Sequence, residues 1–204
     1  MTVNFTKNYQ FSTRLSLEGS NLEEVNEVKL LGIILSNNLK WHSNTQAIVK
    51  NAYKRMLILH NLSKFALPAE EMILIYTLYI RSVVENCAVV WHSSLSRGEE
   101  QEIERIQKCA LRLILCEDYD NYENALTSSN LETLKDRRKH LCKNFAKKCI
   151  KSGKNAELFP LNPNSVNSRN HEKYLVTRAS TSRLAKSAVP YMQRLLNEEM
   201  RPIS

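Results

Sequence analysis

Apolar and polar residues change period near residue 40, and that change separates two kinds of predicted element. Before it, Phe11 to Leu17 alternates apolar with polar, as a half-buried strand does. Glu18-Gly19-Ser20-Asn21 carries turn chemistry. Val28 to Leu35 is rich in leucine, isoleucine and valine but is interrupted by Gly32. A glycine there predicts a bulge or a close backbone approach. After residue 40 the spacing becomes helical. Ile48, Ala52, Met56, Leu59 and Leu62 share one face, with Lys50, Lys54 and Asn61 elsewhere. Pro68, Glu70 and Glu71 mark a helix start. Met72 to Trp91 is apolar nearly all round and predicts a central, buried helix.

A third helix spans Arg97 to Cys116 with Ile103, Ile106, Ala110, Leu113 and Ile114 inward. A short fourth covers Asn121 to Thr127. The fifth is expected from Leu131 to about Ser152, capped by Asn130, with Leu134, Leu141, Cys142, Phe145, Ala146 and Cys149 as its apolar face. Residues 154–173 contain Pro160, Pro163 and five asparagines, which reads as a linker. A last short helix is expected from Pro190 to about Met200. The pattern thus predicts a mainly α fold with a small N-terminal β-hairpin, a helical bundle and an irregular basic tail. Its divisions are a β segment at 1–40, the helical unit at 41–152, the linker at 153–173 and an extension with a short helix at 174–204.

Composition agrees. Of 204 residues 43% are hydrophobic, and only 4 are glycine and 5 proline, which favours helices over a sandwich or barrel. Charge adds something the periodicity does not. Residues 136–204 hold 15 basic and 5 acidic side chains, a net of +10, while residues 1–135 are near neutral. Such a block predicts a polyanionic partner. Five cysteines, an odd number, and the lack of a leader-like start predict a reducing, intracellular setting. The most apolar stretch, Met72 to Ile80, is shorter than the roughly 18 residues a membrane span needs.

Catalytic chemistry finds little to stand on. Two-metal polymerisation needs carboxylates around metals about 3.5–4 Å apart, and the only aspartates are Asp118, Asp120 and Asp136. Asp118-Tyr119-Asp120 reads as a solvated acidic loop. His140, Cys142 and Cys149 lack zinc-ligand spacing. Cys109 with Cys116, and Cys142 with Cys149, are each seven apart, so each pair shares a helix face by core packing. No glycine-rich phosphate loop is present, and His60, His92 and His171 have no nucleophile at a useful spacing. No cofactor is expected.

The basic pattern is stronger. Lys135, Lys139, Lys143, Lys147 and Lys151 recur at i, i+4, thickened by Arg137, Arg138, Lys148 and Lys154. Like charges at that spacing cost about 0.2–0.5 kcal/mol per pair, a penalty that a phosphate backbone removes. Arg105, Lys108 and Arg112 form a second stripe, diluted by Glu102 and Glu104.

Several segments, in order, resemble one family. Val28-Lys29-Leu30-Leu31-Gly32-Ile33-Ile34-Leu35 and Leu39-Lys40-Trp41-His42 come first. Ile75-Tyr76 follows, through Arg81-Ser82-Val83-Val84-Glu85-Asn86-Cys87-Ala88-Val89-Val90-Trp91. Then come Glu104 to Ile114, Leu131 to Arg138, and Arg178 to Arg183 with Ser187 to Asn197. Together they resemble the reverse transcriptases of non-LTR retrotransposons, of the LINE and jockey-like kind. Ser82 stands where that family usually has proline, and Asn86 where it has an aromatic.

The resemblance implies a palm-edge β segment with a primer-grip-like hairpin at Lys29, Leu30, Leu31 and Gly32, then a thumb-like helical domain. It implies that the family's paired aspartates lie upstream, so the chain would be a truncated, inactive piece of an RNA-directed DNA polymerase. Arg105, Lys108, Arg112, Lys135, Arg138, Lys139, Lys143, Lys147 and Lys151 would touch phosphates of RNA or an RNA–DNA duplex. The missing palm and fingers would be its other partner, with no membrane involved. The competing expectations are a helical protein–protein interaction module and an active polymerase.

Overall fold

The computed structural model describes residues 16–21, 25–65, 67–163 and 173–199, a mainly helical fold preceded by two small antiparallel hairpins. Most of the expected strand at Phe11 to Leu17 lies outside the described residues. Its end, β1 (Ser16–Leu17), pairs with β2 (Ser20–Asn21). β3 (Glu27–Leu30) pairs with β4 (Ile33–Ser36), Leu30 opposite Ile33, so Leu31 and Gly32 form a two-residue turn. Their φ values of 48° and 88° are both positive, as a turn matching the strand twist requires. Gly32 accepts this readily and Leu31 does not. The hairpin is fastened to the first helix by two hydrogen bonds. Asn44 Oδ1 accepts from the Ile34 amide at 3.0 Å, and the Ser43 hydroxyl donates to Glu27. A Cβ on Gly32 would stand 3.1 Å from Asn86 Nδ2.

α1 (His42–Leu62) buries Ile48, Ala52 and Leu59, as its spacing predicts. α2 (Ala69–Ile75), a wide π turn (Tyr76–Arg81) and α3 (Ser82–Glu85) then follow without a break. The apolar residues explain the wide turn. Met72, Tyr76, Ile80 and Val84 recur every four residues, and in an α-helix each such step drifts about 40° round the axis. The π turn, with i→i+5 bonding, offsets part of that drift, and all four side chains are buried. The expectation of burial all round is corrected. Leu74, Leu78 and Tyr79 on the other side are exposed. The helix also stops before Trp91: Cys87 adopts φ 50°, and a separate turn, α4 (Ala88–Trp91), follows.

α5 (Arg97–Leu115) starts with a capping box between Ser96 and Glu99. Cys116, at φ 47°, lies beyond its end and is exposed, so it shares no buried face with Cys109. α6 (Tyr122–Ser128) is capped by Asn121. α7 (Leu134–Ser152) is capped by Thr133 and not by Asn130, which adopts φ 51° after α6. Its buried positions are Leu134, Arg138, Cys142, Ala146 and Cys149, while Phe145 is exposed. A cation thus occupies a slot of the apolar stripe.

The stretch read as a linker is in part a wall of the core. Phe159 and Tyr174 are buried with Cys142, Ala146 and Cys149 of α7 and with Met192, Leu195 and Leu196 of α9 (Ala188–Glu198). Residues 164–172 are not described. α9 begins two residues before Pro190. Its Asn197 amide accepts from the Tyr174 N–H and donates to the Tyr174 carbonyl, both at 2.9 Å. Gln193 likewise accepts from Thr177 and donates to the Leu158 carbonyl. Side-chain amides here do what a neighbouring strand would do.

Gly32→Ala is expected to lower unfolding free energy by about 1–2 kcal/mol, since alanine is strained at that φ and meets Asn86. Urea denaturation of both proteins measures it.

Candidate nucleic-acid interface

The orientation of α7 is set by a polar chain running from the core. The Tyr76 hydroxyl donates to Gln107 Oε1 at 2.7 Å. Gln107 Nε2 donates to the Tyr122 hydroxyl at 3.0 Å and to the Glu132 carbonyl at 2.9 Å. The Tyr122 hydroxyl donates to Glu104. The Glu104 carboxylate also accepts the first two amides of α7, Leu134 at 3.0 Å and Lys135 at 3.2 Å. A carboxylate there satisfies orphan N–H groups and meets the positive end of the helix dipole. Burial pushes the Tyr76 and Tyr122 phenols up. Glu104, which on sequence only weakens a basic stripe, is therefore a joint.

The two arginines at 137 and 138 have separate fates. Arg137 Nε reaches Glu85 at 2.9 Å, and Glu85 also lies 3.4 Å from Arg81. Arg138 is fully buried, which removes it from the expected phosphate contacts. Its Nε donates to His92 Nδ1 at 3.3 Å, and its guanidinium lies 5.8 Å from the Trp91 ring. Its two terminal nitrogens have no hydrogen-bond partner among the described residues. His92 Nδ1 accepts, so its proton sits on Nε2, 3.3 Å from the Tyr191 hydroxyl. Burial, and then the neighbouring Arg138 charge, push His92 down to about 4.

The lysine band exists as predicted but is largely neutralised. Lys135 pairs with Glu100 at 3.1 Å and Lys139 with Glu198 at 3.3 Å. Lys143 and Lys147 share Glu199 at 2.9 and 2.8 Å, and these two ammonium groups hold the Glu199 carboxyl below the usual range. Lys151 alone of the five has no carboxylate partner among the described residues. Exposed pairs of this kind contribute about 0–1 kcal/mol each, so a phosphate can displace them.

The α5 stripe is different. Arg105 is exposed, the Lys108 amine lies 4.8 Å over the Tyr122 ring, and the Arg112 guanidinium lies 5.4 Å over Tyr119. None of the three meets a carboxylate within pairing distance among the described residues. The sequence reading missed these tyrosines; the cue was an aromatic pair just beyond a basic helix end. Lys29, Leu30 and Leu31 are exposed on the hairpin, with Leu31 at the tip 87% exposed. The hairpin packs on α1, whereas α7 packs on α4, α5 and α9. Among the described residues no three His, Cys, Asp or Glu side chains gather to hold a metal ion. Asp120, in the acidic loop, accepts from the Asn121 and Asn124 side chains.

His92 stays neutral in the folded protein while an unfolded histidine charges near pH 6.5. Stability is thus complete above pH 6.5 and falls as pH drops toward 4, by roughly 3 kcal/mol. His92→Asn, which keeps an acceptor for Arg138, should remove that slope in a pH series of urea denaturations. Glu198→Gln with Glu199→Gln should free Lys139, Lys143 and Lys147. Polyanion binding, followed by a heparin-column elution series, then shifts to higher salt.

Comparisons with protein-family models, with curated proteins and with solved structures found no match for this chain.

Proposed function

We propose that this chain grips template–primer nucleic acid through its phosphates, as the thumb-side part of a reverse-transcriptase-like polymerase, and adds no nucleotides by itself. One observation carries the reading: the exposed face of α5 presents Arg105, Lys108 and Arg112 with no carboxylate partner among the described residues, two of them laid over tyrosine rings. Cations held this way release counterions when they meet phosphate, and they confer affinity without sequence choice. The residues behind the family resemblance lend support, because Tyr76, Gln107 and Glu104 belong to one hydrogen-bonded chain and Glu85 pairs with Arg137. The hairpin tip at Leu31 and Gly32 would lie toward the primer. The paired lysines on α7 would join by exchanging Glu198 and Glu199 for phosphate.

A second reading, a protein-binding helical module, draws on the exposed apolar side chains Leu57, Phe65, Leu74 and Leu78.

Mobility shifts with an RNA–DNA duplex should show binding that weakens steeply between low and moderate salt. Arg105→Glu, Lys108→Glu and Arg112→Glu together should weaken it at least a hundredfold. Primer extension with magnesium or manganese should give no product. Salt-independent binding, or binding unchanged by the three reversals, would defeat the proposal. A nucleic-acid-free oligomer in light scattering would favour the second reading.

A further inference from the structure

A cleft of about 410 Å³ lies where the base of the β3–β4 hairpin meets the C-terminal segment. Its apolar lining includes Trp41 and Leu95, each only 9% exposed. Three cations line it from distant parts of the chain. Lys40 precedes α1, Arg183 belongs to α8 (Ser182–Ala185), and Lys186 follows α8. All three are exposed, and none has a side-chain partner among the described residues.

The arrangement is held in place. The Ser94 hydroxyl donates to the Lys186 carbonyl at 2.9 Å, and Arg194 donates to the Ala185 carbonyl at 2.5 Å. The one carboxylate in the lining, Glu99, is already engaged. It accepts from the Ser96 amide at 2.8 Å and the Ser96 hydroxyl at 2.7 Å, and lies 3.8 Å from His42 Nδ1. Three lysine and arginine charges thus line the cleft with one carboxylate. Unlike most of the α7 band, none of these three cations forms an ion pair with a carboxylate among the described residues. Like charges brought together by tertiary structure repel unless an anion joins them.

We propose that this cleft binds one sugar–phosphate unit of a nucleic-acid strand, the phosphate on Lys40, Arg183 and Lys186 and the sugar against Trp41 and Leu95. The inference rests on the nucleic-acid reading above but assigns a contact that neither basic stripe includes. A bare phosphate would use the cations and leave the apolar lining empty, which favours the strand over the free ion.

Trp41 supplies the probe. The only other tryptophan, Trp91, is fully buried, so a ligand in the cleft reports through Trp41 fluorescence. The full chain is titrated with an RNA oligonucleotide, with an RNA–DNA duplex, and separately with inorganic phosphate. Lys40→Ala/Arg183→Ala/Lys186→Ala is expected to weaken nucleic-acid binding at least tenfold. It should also reduce the log–log salt slope by roughly 0.7–0.9, the share of the one phosphate contact removed. Lys40→Glu alone, at an exposed site, repeats the test should the triple variant fold poorly.

Nucleic acid that quenches Trp41 in the parent but not in these variants supports the proposal. Binding that is undiminished in both variants overturns the cleft and leaves the α5 reading standing. No binding by the parent chain overturns both. Quenching by inorganic phosphate, at concentrations where nucleic acid gives none, overturns the strand as ligand.

Discussion

The joint between α5 and α7 rests on one carboxylate. Glu104 takes the first two amides of α7 and the hydroxyl of Tyr122, and Gln107 links that hydroxyl to Tyr76 in the core. Each member is a poor residue to bury alone and a good one to bury in this company. Losing one would leave buried partners unpaired, at about 1–3 kcal/mol for each such group. The direction of α7 follows from this joint. With it go the placement of Arg137 on Glu85 and the presentation of the lysine band to α9.

Arg138 is the opposite case. It is a buried cation whose terminal nitrogens find no acceptor among the described residues, beside a histidine kept neutral. A charge in that position is costly, and nearby Glu104, Glu100 and Glu85 offset part of the cost through the field. Its long side chain also fills the space between α7 and Trp91, so removing it would cost packing as well as charge.

The mainly helical class, the positions of the long helices and the hairpin were legible in the sequence, because leucine, isoleucine and valine recur at periods that only one kind of element satisfies; the break at Cys87, the π turn and α8 were not. What misled was polarity used as a proxy for exposure. Arg138, read as a surface cation, is buried, and so are Gln107, Gln193 and Asn197, which the pattern does not assign to the core. Prolines and asparagines made residues 154–173 look like a linker, yet Gln193 and Asn197 of α9 hydrogen-bond the backbone of Leu158 and Tyr174, and Phe159 closes a core. The four-residue repeat from Met72 to Val84 did signal a widened turn, but apolar richness on every side hid it. In the candidate interface, the α5 cations were found by spacing alone. The carboxylates facing the α7 lysines come from residues 35 to 59 positions away, which no local pattern reveals. Lys40, Arg183 and Lys186 meet only through the tertiary fold.

Because Glu198 and Glu199 stand on Lys139, Lys143 and Lys147, that surface, in the proposed reading, would work by substitution and not by addition. An incoming anion must evict an acid already in place, and the evicted acid remains tethered nearby as a competitor. Chloride and single small anions gain little from such a trade, whereas a dense linear polyanion presents several groups at once and displaces both acids together. In the proposed reading, the C-terminal helix would thereby act as a filter for valency, set by two residues at its end.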